Sequence, residues 1–326
     1  MAAFIAVVAV YAFYPRSLPE FPATAINASR LRVNGLAEVG TRLVAVGESG
    51  HILISDDRAA SWRDAEVAPP DAWKRVDSTL TNVRFIDDDL GLALGHDGLV
   101  LRSSDKGETW STVRFNPEYS DPLFDVCRTA RGPIFAVGSF GKLLRSTDRG
   151  ESFDLVDLDE LLPDGPHLND IACDGAGHIM ISGEFAQGLR SADGGETWQP
   201  MQLPYNGSLY GVLAVSGGRW LMFGMRGHMF RSDDFGETWA AVDSGVETSL
   251  FGGLKLADGR LVVFGQGNTI LLSEDGGASF RVEREGGRES LTTAFEIAPD
   301  RLLFGGEKGI SQFTLGRPVA ALAGGQ

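Results

Sequence analysis

Short apolar runs recur along the chain, and each run ends in glycine. Leu43–Gly47 (LVAVG) and Leu261–Gly265 (LVVFG) are representative. Runs this short, rich in β-branched residues and followed by turn residues, predict buried β-strands, because a helix needs a longer periodic stretch. A Gly or Asn usually follows three residues later, as at Gly50 and Asn268, which predicts a tight turn. The seven runs end at Gly47, Gly95, Gly138, Gly183, Gly224, Gly265 and Gly306.

A second motif, Ser-x-Asp-x-Gly-x-Thr/Ser-aromatic, begins eight residues after each of the first six glycines. The copy at Ser103–Trp110 reads SSDKGETW, and the copy at Ser55 departs from the pattern with Ala59 in place of Gly. An Asp in a turn accepts backbone N–H groups, Gly permits positive φ, and the aromatic ring can pack against a neighbouring unit. We interpret the six aspartates as structural turn-forming residues: Asp57, Asp105, Asp148, Asp193, Asp234 and Asp275.

A third strand position lies twelve residues before each glycine. These positions are Gly35, Val83, Val126, Ile171, Val212, Gly253 and Ala294. Each unit of about 41 to 48 residues therefore reads as four strands, and a four-stranded unit repeating at this period predicts a propeller blade. The fold class predicted is all-β: a seven-bladed β-propeller of four-stranded antiparallel blades.

The chain ends predict how the ring closes. The seventh unit lacks the Asp motif, because Thr314–Pro318 does not continue the pattern, whereas Phe21–Ile26 can supply an outer strand. Pairing the two ends would remove open sheet edges. We expect residues 15–30 to be an extended lead-in whose part 18–30 completes blade seven. Residues 31–316 would then form the propeller, and residues 317–326 a C-terminal tail.

Residues 1–14 are apolar and uncharged. As a helix they would reach only about 21 Å, short of a hydrocarbon core of ~30 Å. They are typical of a signal-peptide h-region or a short membrane anchor. We therefore expect a periplasmic or otherwise exported protein, either released or anchored to the inner membrane by this segment.

Composition and charge limit the partners. The net charge of −15 disfavours nucleic acid, which attracts clustered Lys and Arg. The five histidines have no metal-type spacing, so we expect no metal and no cofactor. Cys127 and Cys173 fall on opposite faces of adjacent blades, which leaves a disulfide or two buried thiols open. Because packed sheets lie ~10 Å apart, two buried thiols are the favoured expectation.

Four arginines occupy one repeat position, directly before the Ser of the Asp motif. They are Arg102, Arg145, Arg190 and Arg231, in units two to five. On a closed ring they predict an arc of positive charge that binds a partner. The alternative is that each arginine stacks on an aromatic ring or pairs with a nearby carboxylate.

The length of the repeat varies in one connection only. From the motif aromatic to the next inner strand the chain runs 14 residues between Trp198 and Val212 but 21 between Trp62 and Val83. Long loops on a rigid scaffold commonly carry binding. The longest connection contains Trp73, Lys74 and Arg75 after Pro69-Pro70, so we predict these three residues as a second partner contact.

The Ser-x-Asp-x-Gly-x-Thr-Trp spelling resembles the Asp-box, or BNR, repeat, which forms a structural turn between the third and fourth strands of propeller blades. Sialidases share this repeat, and a glycan-binding or glycoside-hydrolysing propeller is the alternative function. The sialidase Phe/Tyr-Arg-Ile-Pro motif is absent, since Phe280-Arg281-Val282-Glu283 does not match it. Glycosidases also need two carboxylates across a cleft, and no pair stands out in the sequence.

The order of strand, glycine turn and Asp box, together with the arginine patch and the apolar N-terminus, is similar to the photosystem II stability/assembly factor family over about residues 18–315. The resemblance implies a non-enzymatic scaffold that binds a membrane-protein complex as an assembly or accessory factor. Relatives in non-photosynthetic bacteria are often encoded beside RND-superfamily transporters. The resemblance therefore implies such a transporter as a candidate partner.

Overall fold

The structure is a computed structural model in which residues 31–68, 77–118, 121–129 and 132–316 are described. These residues form seven sheets that follow one another in chain order, and all strand pairs are antiparallel except one at the edge of the second sheet. The predicted seven-bladed, all-β propeller is confirmed. No helix in the described ranges has the length and apolar character needed to cross a membrane.

The blades are built as follows. Blade 1 holds β1 (Val33–Val39), β2 (Arg42–Gly47), β3 (Ile52–Ser55) and β4 (Arg63–Asp64). Blade 2 holds β6 (Leu80–Phe85), β7 (Gly91–Gly95), β8 (Val100–Ser103) and β9 (Thr109–Arg114), and the preceding strand β5 (Glu66–Ala68) joins this blade. Blade 3 holds β10 (Leu123–Arg128), β11 (Ile134–Gly138), β12 (Leu143–Ser146) and β13 (Asp154–Leu155), and blade 4 holds β14 (Leu168–Cys173), β15 (Ile179–Gly183), β16 (Gln187–Ser191) and β17 (Gln199–Gln202). Blade 5 holds β18 (Leu209–Ser216), β19 (Arg219–Gly224), β20 (Met229–Ser232) and β21 (Ala240–Val242), and blade 6 holds β22 (Leu250–Lys255), β23 (Leu261–Gly265), β24 (Ile270–Ser273) and β25 (Arg281–Arg284). Blade 7 holds β26 (Leu291–Ala298), β27 (Arg301–Gly306) and β28 (Gly309–Thr314).

The second strand of each blade carries the glycine-terminated apolar run. In β7, β11 and β23 every residue is buried. A strand can be buried on both faces when neighbouring sheets pack against both, and such strands read as continuous apolar runs. The strand ends at Gly because a side chain there would meet the inner strand's backbone: a Cβ on Gly138 would lie 2.4 Å from the carbonyl oxygen of Pro122.

Each aromatic ring of the Asp box packs against the preceding blade. Trp110 of blade 2 shares a buried cluster with Val44 and Val46 of blade 1. Trp198 of blade 4 meets Phe135 of blade 3 edge-on, with ring centroids 5.5 Å apart. The box therefore joins two blades as well as two strands, as the sequence predicts.

Blades 7 and 1 are adjacent, which closes the ring. The Thr292 hydroxyl donates to the carbonyl of Val33 over 2.7 Å, and the backbone N–H of Leu36 donates to Thr293 over 3.1 Å. Blade 7 has three strands within the described residues. The predicted fourth strand, residues 18–30, lies outside them, as do residues 1–14 and 317–326.

Two details of the predicted blade pattern are wrong. In blade 1 the residue equivalent to Val83 is Leu36, not Gly35, because Leu36 pairs with Ala45 as Val83 pairs with Ala93. Residues 66–68 of the longest connection are not a surface loop. They form β5, which pairs in parallel with β9 as a fifth strand at the outer edge of blade 2.

Candidate functional site

The Asp boxes are closed hydrogen-bonded turns. In blade 4 the Asp193 carboxylate accepts the Ser191 hydroxyl at 2.8 Å, the Thr197 hydroxyl at 2.6 Å and the Thr197 backbone N–H at 2.9 Å. The Ser191 oxygen in turn accepts the N–H of Gly195 over 2.8 Å. These bonds, the Thr197 hydroxyl first, lower the pKa of Asp193 to about 2, because they stabilise the ionised form.

The other five boxes use the same bonds from Ser, Asp and Ser/Thr. In blade 1 the residue at the Gly position, Ala59, adopts φ 69° and still donates its N–H to Ser55 over 2.8 Å. The aspartate oxygens are occupied by the turns themselves. Among the described residues no group of three or more His, Cys, Asp or Glu side chains is placed to hold a metal ion.

The four repeated arginines lie between successive blades, and three of them reach the next blade's Asp box. Arg102 donates to the carbonyl of Arg149 over 3.1 Å. Arg145 pairs with Glu196 of the next blade's box. Arg190 donates to the carbonyl of Phe235 over 2.8 Å and pairs with Glu237 over 2.6 Å.

Arg231 differs, because it pairs with Asp233 of its own box over 2.7 Å. The Arg190 guanidinium also lies 5.6 Å from the Phe235 ring centroid. The arginines are therefore partly buried, with side-chain exposures of 19% for Arg102, 33% for Arg145, 12% for Arg190 and 18% for Arg231. Three of the four arginines therefore make inter-blade contacts, and the role of the arc in binding a partner stays a prediction.

The second predicted contact, Trp73, Lys74 and Arg75, lies outside the described residues. Its strand-forming base, Glu66–Ala68, is fixed to blade 2: the N–H of Glu66 donates to the carbonyl of Glu108 over 3.1 Å. The described part of this connection that precedes Trp73 therefore ends at the outer edge of blade 2.

A charged network that the sequence reading missed lies in the wall of the central channel. Arg84 of blade 2 donates through Nε to Asp125 of blade 3 over 3.0 Å, and Asn82 Nδ2 donates to the same carboxylate over 2.6 Å. Asp170 of blade 4 is hydrogen-bonded to Asp125 and accepts the N–H of Val212 of blade 5 over 2.8 Å. One network thus connects four consecutive inner strands.

Burial, and then the charge of Asp125, raise the pKa of Asp170 well above its usual range. The sequence signal was available: Asn82, Asp125 and Asp170 stand where blades 5, 6 and 7 have Gly211, Gly252 and Thr293. Each of these residues stands 13 positions before the glycine that ends the second strand of its blade.

Cys127 and Cys173 form a disulfide, which corrects the expectation of two buried thiols. Their Cα atoms are 5.9 Å apart. The inner strands of adjacent blades converge toward the axis, so the ~10 Å spacing of packed sheets does not apply there. The bond joins β10 to β14 close to the Asp125–Asp170 pair. It lines a channel cavity of about 390 Å³ together with Arg84, Arg128 and Lys255.

The carboxyl groups of this network, Asp125 and Asp170, do not have the layout of a glycosidase pair. Those enzymes need two carboxylates separated across an open cleft. Asp125 is only 2% exposed, and its oxygens are bound by Arg84 and Asn82. Asp170 is likewise engaged within the wall, since it accepts the N–H of Val212.

The fold and these contacts define an Asp-box seven-bladed propeller. The family described as photosynthesis system II assembly factor YCF48 matches residues 65–177 and 103–263, together 65–263 of the 326 residues. The chain belongs to this family. A search of curated protein sequences finds no match.

Solved structures share the fold. The chain resembles a structure described as YCF48 bound to D1 peptide, with 16% identity, 92% of this chain and 97% of that chain covered, and a TM-score of 0.69. It resembles YCF48 from Cyanidioschyzon merolae with 15% identity, coverages of 90% and 97%, and a TM-score of 0.71. A xyloglucanase from Xanthomonas campestris matches with 14% identity, coverages of 90% and 53%, and a TM-score of 0.66.

Proposed function

We propose that this chain is a non-enzymatic, exported propeller that binds a membrane-protein partner as an assembly or accessory factor. The observation that carries the proposal is membership of the YCF48 family. A structure of the family is described as bound to a D1 peptide, so a YCF48 propeller can hold a segment of another polypeptide. The xyloglucanase likeness supports the fold alone. The buried Asp125 carboxylate, bound by Arg84 and Asn82, gives the glycan alternative no support.

The arginine arc supplies a docking chemistry. The carboxylates that pair with Arg102, Arg145 and Arg190 are exposed: Glu151 by 69%, Glu196 by 62% and Glu237 by 67%. Exposed pairs of this kind contribute about 0–1 kcal/mol, so an acidic segment of a partner can displace them at small cost. Arginines held by a rigid scaffold lose little conformational entropy when they bind.

The finer proposal concerns location and partner. An apolar segment at residues 1–14 supports export to the periplasm. There we propose a transporter of the RND superfamily as the partner, with Trp73, Lys74 and Arg75 as a second contact.

Affinity capture from detergent-solubilised membranes, followed by quantitative mass spectrometry, tests the function. The variant R102Q/R145Q/R190Q/R231Q removes four charges without placing acids beside Glu151, Glu196 and Glu237. We expect a membrane protein that the wild type enriches to be lost with this variant. Arg260→Gln is the matched control, since Arg260 is similarly buried but lies in blade 6 and pairs with Asp258 over 2.7 Å. Enrichment of soluble proteins alone would refute the function, and unchanged capture by the quadruple variant would refute the role of the arc.

A further inference from the structure

The turns between second and third strands carry a feature that packing does not explain. Phe140 in blade 3 and Phe185 in blade 4 occupy equivalent turn positions and are 67% and 62% exposed. They are two of the four large apolar side chains with high exposure among the described residues, the others being Leu155 and Val282. Exposed apolar groups that recur at one structural position indicate a binding surface.

Both phenylalanines also adopt a conformation unfavourable for their side chains. Phe140 has φ 54° and Phe185 has φ 55°, in the left-handed region that Gly and Asn tolerate best. The equivalent residues of blades 1, 2 and 6 are Ser49, Asp97 and Gly267, which suit an exposed turn. The two Phe residues oppose the local preference and bury little, so folding does not account for them.

The two turns belong to one continuous strip, which also includes connections between blades. The Phe140 ring meets the His167 ring edge-on at a centroid distance of 5.0 Å. The His167 carbonyl accepts the N–H of Glu184 over 3.0 Å, which fixes the Phe185 turn beside it.

The strip continues into blade 5. The N–H of Ala186 donates to the carbonyl of Gly207 over 2.7 Å, and the nearby Tyr205 hydroxyl donates to the carbonyl of Met225 over 3.4 Å. We call Phe140, His167, Phe185, Tyr205 and Arg226 the aromatic strip.

The charge at the blade 5 end selects the chemistry of a ligand. Arg226 occupies the same turn position as the two Phe residues, with φ 55°, and is exposed. Its guanidinium forms no ion pair within the described part of the chain. Lys142, near Phe140, is by contrast paired with Asp121 over 2.5 Å. Three successive blades therefore present an aromatic group, a second aromatic group and a free cation.

We propose that the aromatic strip binds an extended segment of a partner polypeptide that carries two apolar side chains followed by an acidic group. The inference rests on the proposed function, because it assumes that the propeller binds another polypeptide. The net charge of −15 disfavours an anionic lipid surface as the occupant. A second copy of the chain would add the same negative charge and could bring the two Arg226 residues together.

A random peptide library displayed on phage tests the aromatic strip. The experiment needs no membrane, and it does not depend on the arginine arc being a binding site. Selection on the wild type, with counter-selection on F140N/F185N, should enrich peptides with two apolar residues followed by Asp or Glu. Asn suits positive φ, so the double variant should keep the wild-type circular dichroism and melting temperature. An enriched peptide, synthesised with a fluorophore, should bind the variant about tenfold or more weakly.

Charge reversal checks the acidic group. Selection on R226E should enrich Lys or Arg in place of Asp or Glu. Leu155→Asn, at a side chain that is also 67% exposed but lies in β13, is the matched control and should leave peptide binding unchanged.

The proposal would be overturned if no peptide distinguished the wild type from F140N/F185N, or if R226E showed no change of charge preference. It would also be overturned if sedimentation with phosphatidylglycerol vesicles required Phe140 and Phe185. A dimer in light scattering that F140N/F185N abolishes would overturn it as well. A large drop in the melting temperature of F140N/F185N would also overturn it, because the two rings would then be packing residues. Failure of the membrane capture experiment leaves this test intact, since the library contains no membrane protein.

Discussion

The disulfide between Cys127 and Cys173 makes a quantitative prediction. It closes a loop across a sequence separation of 46 residues, and loop-closure entropy assigns such a cross-link up to about 4 kcal/mol of stabilisation, with 2–4 kcal/mol typical. The bond also joins the inner strands of blades 3 and 4, beside the carboxyl pair that crosses the same boundary. Reduction should therefore lower the free energy of unfolding by about 2–4 kcal/mol, with blades 3 and 4 destabilised first.

Urea unfolding followed by tryptophan fluorescence, with and without dithiothreitol, measures this difference. The variant C127A/C173A should unfold like the reduced wild type and should not respond to dithiothreitol. Hydrogen exchange should locate the loss of protection in β10 and β14. Two titratable thiols in the unreduced, denatured protein would refute the reasoning, as would equal unfolding midpoints for the oxidised and reduced protein.

Three further predictions follow from the fold. The pKa of Asp193 is about 2, below its ordinary value of 3.8, so the box contributes stability above pH 4 that is lost as the pH falls toward 2. Asp193→Ala should therefore lower the melting temperature at pH 6. A difference in melting temperature between the wild type and Asp193→Ala that persists unchanged at pH 2 would contradict this. Removing residues 1–30 should lower the melting temperature and promote aggregation through the uncovered edge of β28. Removing residues 1–14 alone should do neither. Equal behaviour of both truncations would show that residues 18–30 do not complete blade 7. A variant can keep β5 but carry a short Gly-Ser turn in place of residues 69–76. This variant should keep the wild-type melting temperature but capture the partner more weakly. Undiminished capture would exclude Trp73, Lys74 and Arg75 from the interface.

Features with fixed local spacing were predictable from the sequence. The Asp box spans eight residues, and its bonds join Ser191, Asp193 and Thr197 within one turn. The glycine turns are equally local. Their order along the chain therefore predicted the strands, the number of blades and the role of the six aspartates.

Features that depend on contact between blades were not predictable in the same way. Arg190 lies 47 residues from Glu237 in the sequence. Their pairing depends on how blade 5 packs against blade 4. The disulfide depends on how closely two inner strands approach near the axis. The strand Glu66–Ala68 has no distinctive pattern of hydrophobic and polar residues. It forms because the outer edge of β9 is free to pair with it.

The aromatic strip shows a limit of a different kind. Phe140 and Phe185 are visible in the sequence, two residues after Gly138 and Gly183. Their significance comes from the positive φ and from the exposure of their rings, which the sequence does not give. An aromatic residue at a turn position that other blades fill with Ser49, Asp97, Arg226 or Gly267 is the signal that could have identified them.

The central proposal is that this propeller contacts a membrane protein, and photo-crosslinking in living cells is the most direct test of it. A photoreactive amino acid at the position of Glu196, beside Arg145, samples the arginine arc, and one at the position of Val282, on the outer edge of blade 6, serves as the matched control. We expect a covalent adduct with one integral membrane protein from the Glu196 position and none from the Val282 position. Adducts with soluble proteins alone, or the same adducts from both positions, would contradict it.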